Sequence, residues 1–282
     1  MPDASVSSPA SLHRHGSTAI RQAQSAGNAV IARYRLLKTD PPIPPRNNTP
    51  PAAFGRLISI LIPVYNEAGT IAETVRRIHA AEYPLPYEIV MVDDGSTDES
   101  WSVLQSLAGE NVTVLRHESN LGKGMALRTA LEKARCDVVI VQDADLEYFP
   151  EDIANVVSPI INNTADVVYG SRFLGDCRAM KPLYRFGNLG MAAAASILFL
   201  RRVTDEATCY KAFRTGVLKS FELKCRGFEF CPEVTAKTLC SRLRFVEVPI
   251  RYEARGASEG KKLSWRHGLQ ALWTLVRYRF AR

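Results

Sequence analysis

Acidic side chains stand at two places where an apolar run stops. In YEIVMVDDG (87–95) Asp93 and Asp94 close the run, and in DVVIVQDADLE (137–147) Asp143, Asp145 and Glu147 follow five apolar or amide residues. A carboxylate at the end of a buried strand must be hydrated or bonded to donors. Asp143 and Asp145, two apart in a turn, can point to one side around a ligand. Mg2+ or Mn2+ takes one or two carboxylates and fills its other positions with water and substrate phosphates. A diphosphate leaving group needs such a cation to absorb its developing charge. The competing account is a helix starting near Pro150, fed by acids at its N-terminus. That covers Glu151 and Asp152 but hardly Asp143 and Asp145, and it leaves Glu147 ambiguous.

Other strand ends carry similar material. In PVYNE (63–67) Tyr65 can stack on a base and Glu67 can accept from a base or ribose donor, or Asn66 and Glu67 merely cap the next helix. In DDGSTDES (93–100) a capping motif explains residues 96–99 but not the acid pair. Asp94 is the better nucleotide contact of the two, by analogy with the acid after the second strand of dinucleotide-binding folds. NLGKGMA (120–126) offers backbone amides and Lys123 at a helix start, a possible phosphate cradle. GSRF (170–173) supplies Arg172. RGASEGKKL (255–263) supplies Arg255, Lys261 and Lys262 in a loop able to close over a diphosphate, or to remain a solvated charge run.

The elements that position these residues alternate. Strands are expected at 57–65, 87–95, 111–117, 137–145 and 165–171, and helices at 69–81, 97–108, 123–134 and 150–161. Alternation with short connections implies an α/β fold with a largely parallel sheet covered on both faces. Ligands then bind at the carboxyl ends of the strands, where all five loaded loops fall.

Charge is uneven. Residues 242–282 carry ten Lys or Arg against three Glu, and residues 1–56 seven against two, so the middle is mildly acidic although the net charge is +7. Basic ends suit an anionic surface. Residues 1–55, rich in Ser, Ala and Pro, are expected to be a disordered basic extension. The longest uncharged apolar run, LGMAAAASILFL (189–200), has twelve residues, short of the roughly 18 a membrane-spanning helix needs, and reads as a buried or interfacial helix. Near the C-terminus Leu269, Leu272, Trp273, Val276 and Phe280 recur at helical spacing among Arg266, Arg277, Arg279 and Arg282, the pattern of a core-packed or interfacial helix. Six cysteines without metal-ligand spacing, and no signal-peptide pattern, point to free thiols in the cytoplasm.

Taken in order, PVYNE, VDDGSTD, NLGKGMA, DADLE, GSRF, TDEATCYKAFR (204–214), GFEF (227–230) and VPIRYEARGASEGKKLSWRHG (248–268) resemble the family 2 glycosyltransferases, in particular the dolichyl-phosphate mannosyltransferase-like branch. The resemblance runs from about Leu57 to the C-terminus. It implies a single Rossmann-like nucleotide-diphospho-sugar transferase (GT-A) domain over 56–250, followed by a basic loop and amphipathic helix over 251–282. It implies an inverting, metal-dependent transfer from a GDP-mannose or UDP-glucose type donor to a polyprenyl or dolichyl phosphate. By position, Pro63, Tyr65, Glu67, Val92 and Asp94 would hold the nucleoside. Asp143, Ala144 and Asp145 would lie along the diphosphate and a Mg2+ or Mn2+ ion, with Glu147 as a further metal contact where the family more often has Gln. Arg172, Arg255 and Lys262 would grip phosphates, Arg255 standing one place off the usual spacing. A lipid phosphate is already an anion and needs no general base. A hydroxyl acceptor would need one, and Asp205 is the candidate, unless it caps the following segment. The expected setting is cytoplasmic and peripheral to a membrane, docked directly or through a small membrane-protein partner, with no nucleic acid involved. Two rivals are a soluble family 2 enzyme with a hydroxyl acceptor and a nucleotide-binding protein without turnover.

Overall fold

The computed structural model describes residues 57–178, 180–254 and 265–280. The expected N-terminal extension and the basic-loop residues Arg255, Lys261 and Lys262 lie outside them. Strand β1 (Ile58–Val64) is apolar on both faces and almost wholly buried, which requires cover on both sides. Helix α1 (Ile71–Ala80) supplies part of that cover with Ile71, Val75 and Ile78, spaced to share one face. The alternation continues through β2 (Tyr87–Asp93), α2 (Ser100–Leu107), β3 (Val112–Arg116), α3 (Lys123–Lys133) and β4 (Val138–Val141). After β4 a 3-10 turn (Pro150–Asp152) leads into α4 (Ile153–Ile161), then β5 (Val167–Ser171), β6 (Cys177–Arg178) and α5 (Pro182–Phe199). The remaining elements are β7 (Lys211–Arg214), α6 (Thr215–Ser220), α7 (Phe230–Cys240), β8 (Phe245–Pro249), β9 (Tyr252–Glu253) and α8 (Trp265–Phe280).

Seven strands form one sheet in the order β3-β2-β1-β4-β7-β5-β8, and β6 pairs with β9 apart from it. The expected parallel α/β sheet is present with one exception. β7 runs antiparallel to both neighbours, β4 and β5, while the other pairs are parallel. The order of strands reverses between β1 and β4, which opens a crevice at their carboxyl ends. The ends of β1, β2 and β4 meet there.

Two elements differ from the sequence reading. β4 stops at Val141 rather than at Asp145: the Gln142 amide still donates to the Leu61 carbonyl at 3.0 Å, its side chain accepts from the Tyr210 hydroxyl at 2.6 Å, and the chain then turns out of the sheet. α5 runs for 18 residues instead of the twelve-residue apolar run, with Pro182 in its first turn. One face of α5, with Ala195 and Phe199, joins α7 and α8 in a small second core containing Ala236, Leu239 and Leu275.

Asp166 ties down the far side of the sheet. It accepts from Arg214 Nε at 3.1 Å and from Arg244 Nη2 at 2.7 Å, joining the start of β5 to the end of β7 and the start of β8. Burial alone would raise its carboxyl, but the hydrogen bonds from Arg244 and Arg214 pull it from 3.8 down to about 2. A depressed carboxyl stabilises the fold above its unfolded value and loses that contribution as pH falls through the folded one. We expect Asp166→Asn to cost about 1–2 kcal/mol at neutral pH, after discounting for the half-exposed arginines. In urea melts the gap between variant and wild type should close between about pH 4 and pH 2; a gap independent of pH would refute the assignment.

Candidate functional site

The crevice is built from four loops sewn together by side chains. Asn66, in the left-handed region at φ 53°, donates its amide to Ser96 Oγ at 3.0 Å and accepts from the Thr97 amide at 2.8 Å. The Glu67 amide donates to Ser100 Oγ, and Glu67 Oε2 accepts from the Thr70 hydroxyl at 2.8 Å. Of the two readings of PVYNE, the local one is visible here. Its polar side chains set the local turn, while Pro63 and Tyr65 remain half-exposed at the β1 end of the crevice. Gly95, at φ 68°, has no room for a side chain, because a Cβ there would lie 2.4 Å from the Ser119 carbonyl carbon.

The acids after β2 are more deeply engaged than their sequence suggested. Asp93 is fully buried, accepts from the Ser96 amide and faces Arg116 Nε at 3.1 Å. Asp94 accepts from the Leu121 amide at 3.0 Å, the Gly122 amide at 2.8 Å and His117 Nδ1 at 2.7 Å. At 2 % exposure it organises the loop leading into α3, rather than offering an open carboxylate to a nucleoside. Val92, carried over with it, is wholly buried in the sheet.

The expected phosphate cradle at the start of α3 also needs correcting. The Gly124 and Met125 amides donate to the Gly227 and Arg226 carbonyls at 3.1 and 2.9 Å, and those of Leu121 and Gly122 are held by Asp94. Those four amides already have protein acceptors, so what NLGKGMA contributes is the Lys123 ammonium. Its Nζ lies 2.6 Å from Asp143 Oδ1, with both side chains about one-fifth exposed. Burial acts to lower the ammonium, but Asp143 outweighs it and holds Lys123 above its ordinary value.

The acidic turn after β4 is held from several sides. Leu146 takes φ 61°, a conformation a non-glycine residue keeps when its surroundings impose it. The Glu147 carbonyl accepts from the Glu253 amide at 3.0 Å, and its carboxylate accepts from the Tyr252 hydroxyl at 2.6 Å. Burial, then the Glu147 carboxylate, pushes the Tyr252 phenol up, so it stays a donor. Ala144 is buried, and its carbonyl accepts from Thr74 at 3.2 Å. Among the described residues no three His, Cys, Asp or Glu side chains form a metal-holding group. Asp143 and Asp145 remain as a pair of hard oxygen donors, a set that suits a dication shared with a diphosphate and water. Glu147 is turned toward Tyr252.

Beyond Tyr252 the site continues to Arg172. The guanidinium packs on the Tyr252 ring at 5.0 Å, and its Nε and Nη2 both donate to the Asp205 carboxylate at 2.7 Å. The Arg172 backbone amide also donates to Asp205, which is 0 % exposed. Asp205 is thus a buried counter-ion and not an accessible base, because nothing outside the protein can reach its oxygens. Burial tends to lower the Arg172 guanidinium, but Tyr148 and Asp205 more than compensate and hold it well above its ordinary value. Sequence reasoning gave no role to the tyrosines that frame the turn. Tyr148 stacks edge-on with Tyr252 at 5.2 Å, and its hydroxyl accepts from the Cys209 amide. The one legible signal was Gln142, an amide at the end of an otherwise apolar strand.

The profile described as Glycosyl transferase family 2 matches residues 59–220, which include the four loops of the crevice, Arg172 and Asp205. A UDP-N-acetylglucosamine–dolichyl-phosphate N-acetylglucosaminyltransferase of Methanococcus voltae is 32% identical over 217 residues, covering 70% of this chain and 85% of that protein. The dolichol-phosphate mannosyltransferase of Pyrococcus furiosus is 32% identical over 209 residues, covering 72% of this chain but 58% of the relative's length. In three dimensions the chain superposes on the glucosyl-3-phosphoglycerate synthase of Mycobacterium tuberculosis, solved with Mn2+, UDP and glucosyl-3-phosphoglycerate. The TM-score is 0.60 with 22% identity, over 79% of this chain and 80% of that one, a likeness of fold. Profile match and relatives together place the chain in glycosyl transferase family 2.

Proposed function

We propose that this glycosyltransferase moves a sugar, with inversion, from a nucleoside-diphosphate sugar to a polyprenyl phosphate at a membrane surface. The observation that carries the reading is the line from the acidic turn at the strand switch point, through Tyr252, to Arg172, together with two neighbouring helices that present apolar stripes to solvent. On α5, Leu183, Phe186 and Ile197 are 79%, 73% and 73% exposed. On α8 the stripe foreseen from the sequence is exposed at Leu269, Leu272, Trp273 and Phe280, with the exposed Arg266 and Arg277 alongside. Apolar stripes with arginine margins suit an anionic lipid surface. Among the described residues no helix is long and apolar enough to cross a membrane.

In this reading Pro63 and Tyr65 flank the nucleoside, and Asp94 fixes the loop that bounds it. Asp143 and Asp145 would hold Mg2+ or Mn2+, which when bound takes up negative charge on the leaving diphosphate. Lys123 adds a fixed positive charge on the same side and balances Asp143. Arg172, held by Asp205 and Tyr252 and only 5 % exposed, is the fixed guanidinium we assign to the acceptor phosphate, which would reach it only where the site opens around it. The phosphate oxygen attacks the anomeric carbon as the carbon–oxygen bond to the nucleoside diphosphate breaks. The attacking oxygen is already an anion, so no base is required. The two relatives described above carry names of this kind of transfer, which supports the acceptor class.

The test is a panel of radiolabelled UDP- and GDP-sugars, with Mg2+ or Mn2+, offered to the chain with polyprenyl phosphate in anionic vesicles. Label should enter the organic phase with one donor class, and the protein should sediment with the vesicles. Label that passes only to water-soluble acceptors would sink the lipid reading, and failure to sediment would sink the membrane contact.

A further inference from the structure

Glu233, in the first turn of α7, is a carboxylate with 1% exposure that takes no part in the proposed transfer. Its oxygens accept from the Lys224 amide at 2.9 Å, the Cys225 amide at 2.7 Å, the Lys237 ammonium at 2.7 Å and the Tyr278 hydroxyl of α8 at 2.7 Å. We propose that Glu233 is a positioning residue for the donor site, through which α8 fixes the lysine that faces the donor's diphosphate. The inference rests on the reading of Lys123 given above.

The route runs from bond to bond. The amides held by Glu233 open the loop 224–229, and the next amide, that of Arg226, donates to Glu229 Oε1 at 3.2 Å. The Arg226 and Gly227 carbonyls then accept from the Met125 and Gly124 amides at 2.9 and 3.1 Å. Those two residues directly follow Lys123. The fit leaves no slack, since a Cβ at Gly122 would lie 2.5 Å from the Arg226 carbonyl oxygen and one at Gly124 2.9 Å from its carbonyl carbon. The first turn of α3 thus rests on the loop, and a shift of the loop moves Lys123 relative to Asp143, 2.6 Å from its ammonium.

Helix α8 meets the same stretch at three points. The His267 and Phe228 rings pack with centroids 4.9 Å apart, the Gln270 side chain donates to Glu229 Oε2 at 3.2 Å, and Tyr278 reaches Glu233. His267, Gln270, the buried Thr274 and Tyr278 follow at three- and four-residue steps and share one face of α8. Leu269, Leu272, Trp273 and Phe280 are the exposed residues of the same helix.

The charge state of Glu233 suits this duty. Burial would raise its carboxyl, but the Lys237 ammonium, the Lys224 amide and the Tyr278 hydroxyl hold it below its ordinary value. An ionised carboxylate only accepts, and here donors from three segments converge on it, so that its place sets theirs. Lys237 also donates to the Glu222 carbonyl at 3.2 Å, which secures the chain just ahead of the loop.

The experiment titrates the full chain with UDP and with GDP in the presence of Mn2+, by calorimetry and without lipid, which keeps membrane contact out of the readout. Tyr278→Phe takes one hydroxyl from Glu233 and keeps the ring. The Kd of the nucleotide that wild type binds should rise about fivefold, within the range that residues lying between two sites transmit. In a Lys123→Met background the same change should add less than about twofold, because no ammonium is left to misplace. Asp166→Asn, which loosens the sheet away from the loop, should bind nucleotide as wild type does, so that lost stability alone does not reproduce the effect. If Tyr278→Phe melts well below wild type, Gln270→Ala, at an exposed position, carries the same expectations through Glu229. A Kd unchanged in the variant that keeps its fold, or raised equally in both backgrounds, overturns the link and leaves Lys123 its role. A Lys123→Met chain that binds nucleotide like wild type, or a wild-type chain that binds neither nucleotide, overturns that role and the link with it.

Discussion

Asp145→Ala should abolish metal-dependent donor binding and lower turnover by about 10^3-fold, while the protein melts within a degree or two of wild type. The size follows from what the side chain is asked to do. Removing one fixed group that stabilises developing charge in a water-poor site costs about 10^2–10^3 in rate, and in the proposed site Asp143 and Asp145 would be the carboxylates that hold the ion, since Glu147 is turned to Tyr252. Stability should hold because the turn is fixed independently of Asp145, by Tyr148, Tyr252 and the Glu253 amide. Titration calorimetry of a nucleoside diphosphate with and without Mn2+ is the direct measurement. Unchanged metal-dependent affinity would remove the metal from the proposal. Glu147→Gln is the companion: it keeps a partner for the Tyr252 hydroxyl and should retain most activity, whereas a loss equal to that of Asp145→Ala would restore Glu147 as a ligand.

The strands were legible because a strand buried on both faces must be a nearly continuous apolar run, and LISILIPVY, YEIVMVD and DVVIV are such runs. β7 was not legible as a strand. KAFR is four residues long and holds a buried lysine, whose ammonium donates to the Glu206 carbonyl and lies 3.6 Å from the Tyr169 ring. Neither partner sits where local spacing could announce it. The same limit explains the site. That Gly122 and Gly124 form a turn can be read locally, but that Arg226 and Gly227 already fill the nearby amides depends on a contact about a hundred residues away. Side-chain types at strand ends thus indicate where chemistry gathers. They do not say which polar groups are spent on holding the loops, and Asp94 and Asp205 both belong to that second class. On α8 the spacing of Leu269, Leu272, Trp273 and Phe280 gave the stripe but not which side it faced, since an apolar stripe reads alike whether it packs inward or outward.

The Arg172–Asp205 pair gives the other large effect, and it separates two roles for Asp205. Removing one partner of a buried ion pair leaves an uncompensated charge, at a cost of about 3–5 kcal/mol. Asp205→Ala is therefore expected to lower stability by that much in urea melts, and Arg172→Met by a similar amount. The double variant Arg172→Met with Asp205→Leu, which leaves no charge to compensate, should recover most of the loss. It should not recover transfer, because Arg172 is the guanidinium we assign to the acceptor phosphate. Asp205→Asn keeps the packing but weakens the hold on Nε and Nη2, so its deficit should be a raised KM for acceptor with little change in the pH profile of kcat. A general base predicts the reverse. Asp205→Asn would then fold as well as wild type, bind acceptor normally and lose turnover together with the limb of the profile that reports deprotonation. The geometry favours the first pattern: three hydrogen bonds from one arginine converge on a carboxylate with no exposed surface, and a proton taken up there would break the pair that holds the arginine in place.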